Sequence, residues 1–357
     1  MIMLKSTRRT FVKTLAGTAA AIAMPAVWTG ARGQENRLTV GDTGGVATQA
    51  YTEGFYKPYF EQTGIEVIPV ERRESPVAEV RAIVETGTYR YDFCEGIGHD
   101  VAATLEEGGF LEELDLSGET EDIPDNMKSS TFIGSNVVAF ILAYRTEKFS
   151  QPLTHADVWN PEQFPGRRGL RQNARDTLQF ALVADGVAPA EVSNVLADEA
   201  GWGRAFAKLD EIKSHIDVWW TSAAQTPTFL QTGELDICPT FNSRAQSVID
   251  SGSPVGITWD GGFFMNYGWC IPKGSPKADM ARDFIKYCSS PQGQAIACER
   301  MASGPCNPKA LDFIEPERAR ILPTHPDNIA NMALTDFRFW GPRQEEATNR
   351  FNEWLMA

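Results

Sequence analysis

From Arg37 onward, short apolar runs alternate with segments of helical spacing, and this alternation limits the folds open to the chain. "RLTVGD" reads as a strand, followed by the turn "TGG" and a helical stretch through residues 51–60. "TGIEVIPVE" is a second strand. "VAEVRAIVETG" sets Val77, Val80, Ile83 and Val84 at helical spacing before Gly87. "YDFCEG" and "DVAATLEEGGF" repeat the pattern. Strands alternating with helices predict α/β layers around a mainly parallel sheet. Further on, "NVVAFILAYR" is a long apolar strand. "QFALVADGV", "EAGWGRAFAKLDEIK" and "TPTFLQTG" are helices of a second α/β unit, and "ELDICPTFNS" is a strand feeding "RAQSVIDSG". "VGITWDGGFFMNYGWCIPKG" is a long extended piece that crosses back to the first unit. Two α/β lobes joined by extended crossings leave a cleft, and ligands of open α/β sheets sit at the carboxyl ends of the strands.

The N-terminus carries an address. Lys5, Arg8, Arg9 and Lys13 form a basic segment without acids, ahead of an apolar run from Leu15 to Val27. That run is shorter than the ~20 residues that span a bilayer, and the whole has the form of a secretory signal peptide. The pair in "STRRTFVK" matches the twin-arginine export signal. Residues 1–33 are expected to be removed, with cleavage near Ala31–Gly33, and the remainder to work in the periplasm. The remainder holds 28 basic against 47 acidic residues, near −19. Such a balance excludes a nucleic-acid partner, which needs a basic footprint. Its length, about 320 residues, exceeds one comfortable core.

Catalytic signatures are missing. There is no G-x-S-x-G elbow and no phosphate-binding G-x-x-x-x-G-K-[ST], and "GIGHDVAA" fails as a dinucleotide fingerprint. The four histidines lack metal-ligand spacing, so no metal or other cofactor is expected. Six cysteines admit 15 connectivities. Cys298 and Cys306 enclose a short loop and are the best local pair for a disulfide, whereas Cys94 and Cys238 are expected to be free or separately buried.

Several ordered segments carry a family resemblance. They are "FEQTGIEV", "YDF", "EEGGFLEELD", "VWNPEQFPGRRGL", "AFAKLDEIK" leading to "VWWTSAAQ", "GELDI" leading to "FNSRAQ", "WCIPKGSPKADMARDFIKYCSSPQGQA" and "SGPCNPKA". In order and spacing they resemble the polyamine-binding branch of bacterial ABC-transporter solute-binding proteins, from about Leu38 to Trp340. The resemblance implies a type II-like two-lobed periplasmic-binding-protein fold with the ligand cleft between the lobes. Residues 34–140 plus 262–310 would form lobe 1, and 141–261 plus 311–357 lobe 2. It implies a monomeric receptor, not an enzyme, that hands a small amine-containing solute to a membrane ABC permease. The rival reading is a periplasmic enzyme acting in the same cleft.

The cleft residues follow from these segments. Gly44 and Gly45 precede a helix whose first N–H groups would favour an anion. Glu95 and His99 lie in "FCEGIGH". In "VWWTS", alternation sends one of Trp219 and Trp220 under its lobe and the other into the cleft beside Thr221. Polyamine-binding members hold ammonium ends with carboxylates, and the resemblance implies that this chain has lost two of three. Asn173 and Tyr267 stand where acids are expected, and Asp176 remains. Met265 stands where an aromatic is expected, while Phe241 keeps one. Arg244 suits a ligand carboxylate, or pairs with Asp236 or Asp176. Together these residues point to a small zwitterion, such as an ω-amino acid, or a singly charged amine in preference to spermidine.

Overall fold

The structure is a computed structural model that describes residues 36–72 and 76–357. The twin-arginine segment lies outside the described residues. Strand β1 (Arg37–Asp42) pairs in parallel with β2 (Glu66–Glu71) and with β3 (Phe93–Gly98). The connections are the helices that the alternation predicts. After β1 come α1 (Gly45–Tyr51), a π-helical turn at Thr52–Tyr56, and α2 (Lys57–Thr63), which ends at Gly64 with φ 73°. A left-handed residue at that place favours glycine. Helix α3 (Val77–Thr86) buries Val80 and Ile83 against the sheet, and α4 (His99–Glu107) leaves the end of β3 directly.

Two long strands carry the rest. β4 (Ile133–Arg145) and β8 (Val255–Cys270) run antiparallel along each other. β3 joins the other edge of β8, also antiparallel, and β7 (Ile237–Phe241) joins the far end of β4. The main sheet is therefore mixed, in the order β2-β1-β3-β8-β4-β7. A separate parallel pair, β5 (Gly169–Arg171) and β6 (Val218–Trp220), sets Arg171 opposite Trp220. Short strands β9 (Gly304–Pro305) and β10 (Ala333–Leu334) add to β4 and β8. The β4–β8 ladder shifts register twice, between Gly134 and Asn136 and again where Phe140 faces Phe263 but Leu142 faces Thr258. Elsewhere it is tight. A Cβ on Gly268 would lie 1.9 Å from the Ile133 carbonyl oxygen, so only glycine lets the strands approach there.

Apolar packing flanks both ends of this ladder. Trp269 meets Tyr51, Phe55, Phe93 and Phe284 at ring distances of 5.2–6.0 Å. At the other end Phe140 meets Phe180, Trp220 and Phe241. Each fully buried ring of this kind contributes about 1.5–3 kcal/mol. Helices α5 (Ala174–Ala184), α6 (Glu199–Ile212), α7 (Thr226–Thr232) and α8 (Asn242–Asp250) cover the second end, and α9 (Ala278–Tyr287) and α10 (Pro291–Met301) cover the first. The last helix, α11 (Phe337–Met356), packs on both α4 and α5, and its Trp340 indole donates to Gln179 at 2.9 Å.

All six cysteines are free and buried. The expected Cys298–Cys306 bridge is not formed. Cys298 lies on α10 with its thiol toward the Ser135 carbonyl, 3.9 Å away, while Cys306 packs against Gly134. Both sulfurs thus pack against β4, the strand beneath that loop. Cys94 and Cys238 are separately buried, as expected; Cys94 faces Cys270 across β3 and β8. With thiol reagent and no reductant, the native protein is expected to show no reactive thiol, and the denatured protein six. Four in denaturant would establish a bridge.

Candidate functional site

The carboxyl ends of β3, β5, β6 and β7 converge on a group of charges and rings. Its centre is Asp176, fully buried in the first turn of α5. Asp176 accepts from Arg171 Nη1 through Oδ2 and from Arg175 Nε through Oδ1, the latter at 2.9 Å. Burial alone would raise its carboxyl, but the Arg175 and Arg171 guanidiniums outweigh that and hold it below the usual carboxylate range. Asp176 is thus an ion-pair centre, the alternative to a ligand contact.

Arg171, at the end of β5, is the base that sequence reasoning missed. Its guanidinium lies 5.6 Å from the Trp220 ring and 5.0 Å from the Phe241 ring. Such contacts contribute about 0.5–2 kcal/mol each. Its Nε is buried without a hydrogen-bond partner. Its only sequence signal is "GLRQN", a short apolar start ending in a base, which pairs in parallel with "VWW". Arg244, the expected base, is exposed on α8 and its side chain makes no hydrogen bond or ion pair among the described residues. Neither alternative partner is free: Asp236 is taken by Lys148 and the Arg167 amide.

The two tryptophans separate as strand alternation requires. Trp220 turns inward, 1% exposed, with its indole N–H unpartnered. Trp219 packs the other way, onto Phe351 and Trp354 of α11, so it does not join the site. Thr221 follows exposed. Asn173 is committed as the N-cap of α5, accepting from the Asp176 amide at 3.1 Å. Met265 and Tyr267, on β8, line the floor: the Met265 sulfur lies 3.7 Å from both Arg175 Nη2 and the Tyr267 hydroxyl. Burial pushes Tyr267 up to about 12, so it is a neutral donor.

The Gly44–Gly45 turn and Glu95 lie beside Asp42 instead, whereas His99 shares a small pocket with Arg175, Met265 and Tyr267. Gly44 and Gly45 have φ 82° and 70°, but the Gly44 N–H and the Thr48 hydroxyl already donate to Asp42 Oδ1. The protein's own carboxylate holds the place expected for an anion. Glu95 is fully buried, and its Oε1 accepts from the Thr43 amide at 3.4 Å. Burial, then the neighbouring Asp42, pushes its carboxyl up to about 8, against the weaker pull of Arg72. His99 stacks between Phe132 at 4.5 Å and Phe337 at 3.7 Å. One cavity of about 900 Å³ is lined by His99 and Phe337 but by neither Arg171 nor Trp220.

Burial pushes the His99 imidazole down to about 4, against smaller upward pulls led by Asn266 and Asp100. Its folded pKa lies below the unfolded one of about 6.5. The stability it contributes is therefore present above pH 6.5 and lost as pH falls through about 4. The His99 imidazole signals are expected to titrate by NMR with a midpoint near 4; a midpoint of 6 or higher would contradict the burial. His99→Phe, which keeps the stack, is expected to lose less stability than the wild type between pH 6.5 and 4 in urea denaturation.

Comparison with known proteins fits this fold. Residues 54–324 match the family model described as bacterial extracellular solute-binding protein. A γ-aminobutyric acid-binding protein of Pseudomonas aeruginosa is 33% identical over 327 residues, 91% of this chain and 92% of the relative. An ABC transporter substrate-binding protein from Bradyrhizobium japonicum superposes with a TM-score of 0.81 at 32% identity, covering 89% of this chain and 99% of the other. A γ-aminobutyric acid receptor of known structure gives a TM-score of 0.80 at 26% identity, covering 90% and 98%. The chain belongs to the bacterial extracellular solute-binding proteins of ABC transporters.

Proposed function

We propose that this receptor binds a short zwitterionic ω-amino acid in the periplasm and delivers it to an ABC permease, with γ-aminobutyric acid as the first candidate. The observation that carries the reading is Arg171, a guanidinium between two aromatic rings with one arm on Asp176 and its Nε unpartnered. A ligand carboxylate can take the remaining donors as a bidentate acceptor. Trp220, Phe241 and Tyr267 offer apolar wall for a short methylene chain, about 0.8 kcal/mol per buried CH₂. Their ring faces also suit a single ammonium. A micromolar receptor needs about −8 kcal/mol in total, and these terms together with the carboxylate contact reach that order. Two relatives bearing γ-aminobutyric acid in their names support the same choice.

Charge disfavours a polyamine. The acids of this group, Asp176 and Asp100, are already paired with Arg171 and Arg175. A spermidine cation would meet two guanidiniums and no spare carboxylate, and an unpaired charge in a desolvated site is costly. The two lobes follow the boundaries given above, with the hinge at the β4–β8 slip near Phe140 and Phe263. Export by the twin-arginine route suits a chain whose thiols are all buried before they meet an oxidising compartment. Catalysis has no part in this reading, and a ligand recovered unchanged distinguishes it from the enzyme alternative.

Calorimetric titration with γ-aminobutyric acid, putrescine and spermidine tests the proposal. The amino acid is expected to bind at micromolar level or tighter and to change tryptophan emission, and Arg171→Ala to weaken it more than tenfold. Arg244→Ala is expected to leave it within twofold. Tight spermidine binding with no response to the amino acid would restore a polyamine receptor.

A further inference from the structure

Arg175 does more than neutralise Asp176. It is the second residue of α5, and Asp100 is the second residue of α4. The two helices follow β5 and β3, which lie on opposite sides of the β4–β8 slip. Arg175 Nη1 donates to Asp100 Oδ2 at 3.0 Å, with the two side chains 18% and 20% exposed. The same guanidinium donates through Nε to Asp176 and rests its third nitrogen on the Met265 sulfur of β8. One planar side chain therefore touches both halves of the cleft and the strand that crosses between them.

Charge decides what this contact does. With the halves together, two guanidiniums face two carboxylates. When they separate, Asp100 leaves with α4, and Asp176 alone serves Arg171 and Arg175. The α5 side then carries one uncompensated positive charge, which attracts a carboxylate. Closure returns Asp100 to Arg175, and Arg171 keeps one arm on Asp176 with its other donors toward the ligand. A partly buried, charge-assisted pair of this geometry is stronger than an exposed one.

We infer that Asp100 is a positioning residue for ligand retention: through Arg175 it locks the closed cleft and slows ligand escape without touching the ligand. The inference rests on the two-lobed receptor reading above. It assigns Asp100 to the dissociation step, because ligand enters the open cleft and the pair holds the closed one. It also predicts a bias toward closure in the empty protein.

Stopped-flow tryptophan fluorescence with γ-aminobutyric acid, and small-angle scattering of the unliganded protein, provide two separate readouts. Asp100→Asn is expected to raise koff about tenfold or more while kon stays within twofold, and to increase the unliganded radius of gyration. Asp100→Glu, which keeps the carboxylate, is expected to restore both towards the wild type. A thermal midpoint near that of the wild type establishes that Asp100→Asn folds; should it not fold, Asp100→Glu and Asp100→Ser carry the comparison. Unchanged koff and unchanged scattering would overturn the lock. If γ-aminobutyric acid fails to bind the wild type, the ligand assignment fails by itself, and the scattering comparison still decides the lock.

Discussion

The antiparallel pairing of β4 with β8 is the constraint on which the rest of the protein hangs. β3 is fixed to one edge of β8 and β7 to the far end of β4, and the short strands β9 and β10 add to the same two. The pairing is close enough that Gly268 cannot carry a side chain, and its register shifts at two places. Met265 and Tyr267 belong to the same strand. Met265 and Tyr267 therefore take their places from the strand that also pairs with β3 and β4.

Above that floor, the site is an exercise in charge balance. Asp176 is fully buried and would be costly alone, and of the two arginines that keep it ionised Arg175 is itself desolvated. Each member makes sense only with the others. That interdependence leaves two guanidiniums and two carboxylates with no net charge. A zwitterion adds no net charge to a set that is already neutral, whereas a polycation or a dianion does.

Much of the fold was legible in the sequence, because period and punctuation are local. The strand–helix alternation, the long crossings and the opposed faces of Trp219 and Trp220 all follow from residue spacing. The site was legible only in part. Arg244 was chosen because it stands after a strand end, yet it faces solvent from α8. Arg171 was passed over because its value comes from a partner 49 residues away, Trp220, through a parallel pairing that no local pattern announces. Asn173 was read as a lost acid, although an asparagine three residues before an amide at a helix start is a cap. Asp100 and Arg175 meet across 75 residues. Contacts of that range are decided by topology, which the sequence states only indirectly.

The concealment of all six sulfurs has a practical consequence. The chain offers its surface as a blank to thiol-directed dyes, because no native cysteine competes for them. A single cysteine introduced at Thr221, exposed beside the inward Trp220, gives one attachment point next to the site. A polarity-sensitive fluorophore there converts the receptor into an optical sensor whose colour or brightness reads solute concentration directly.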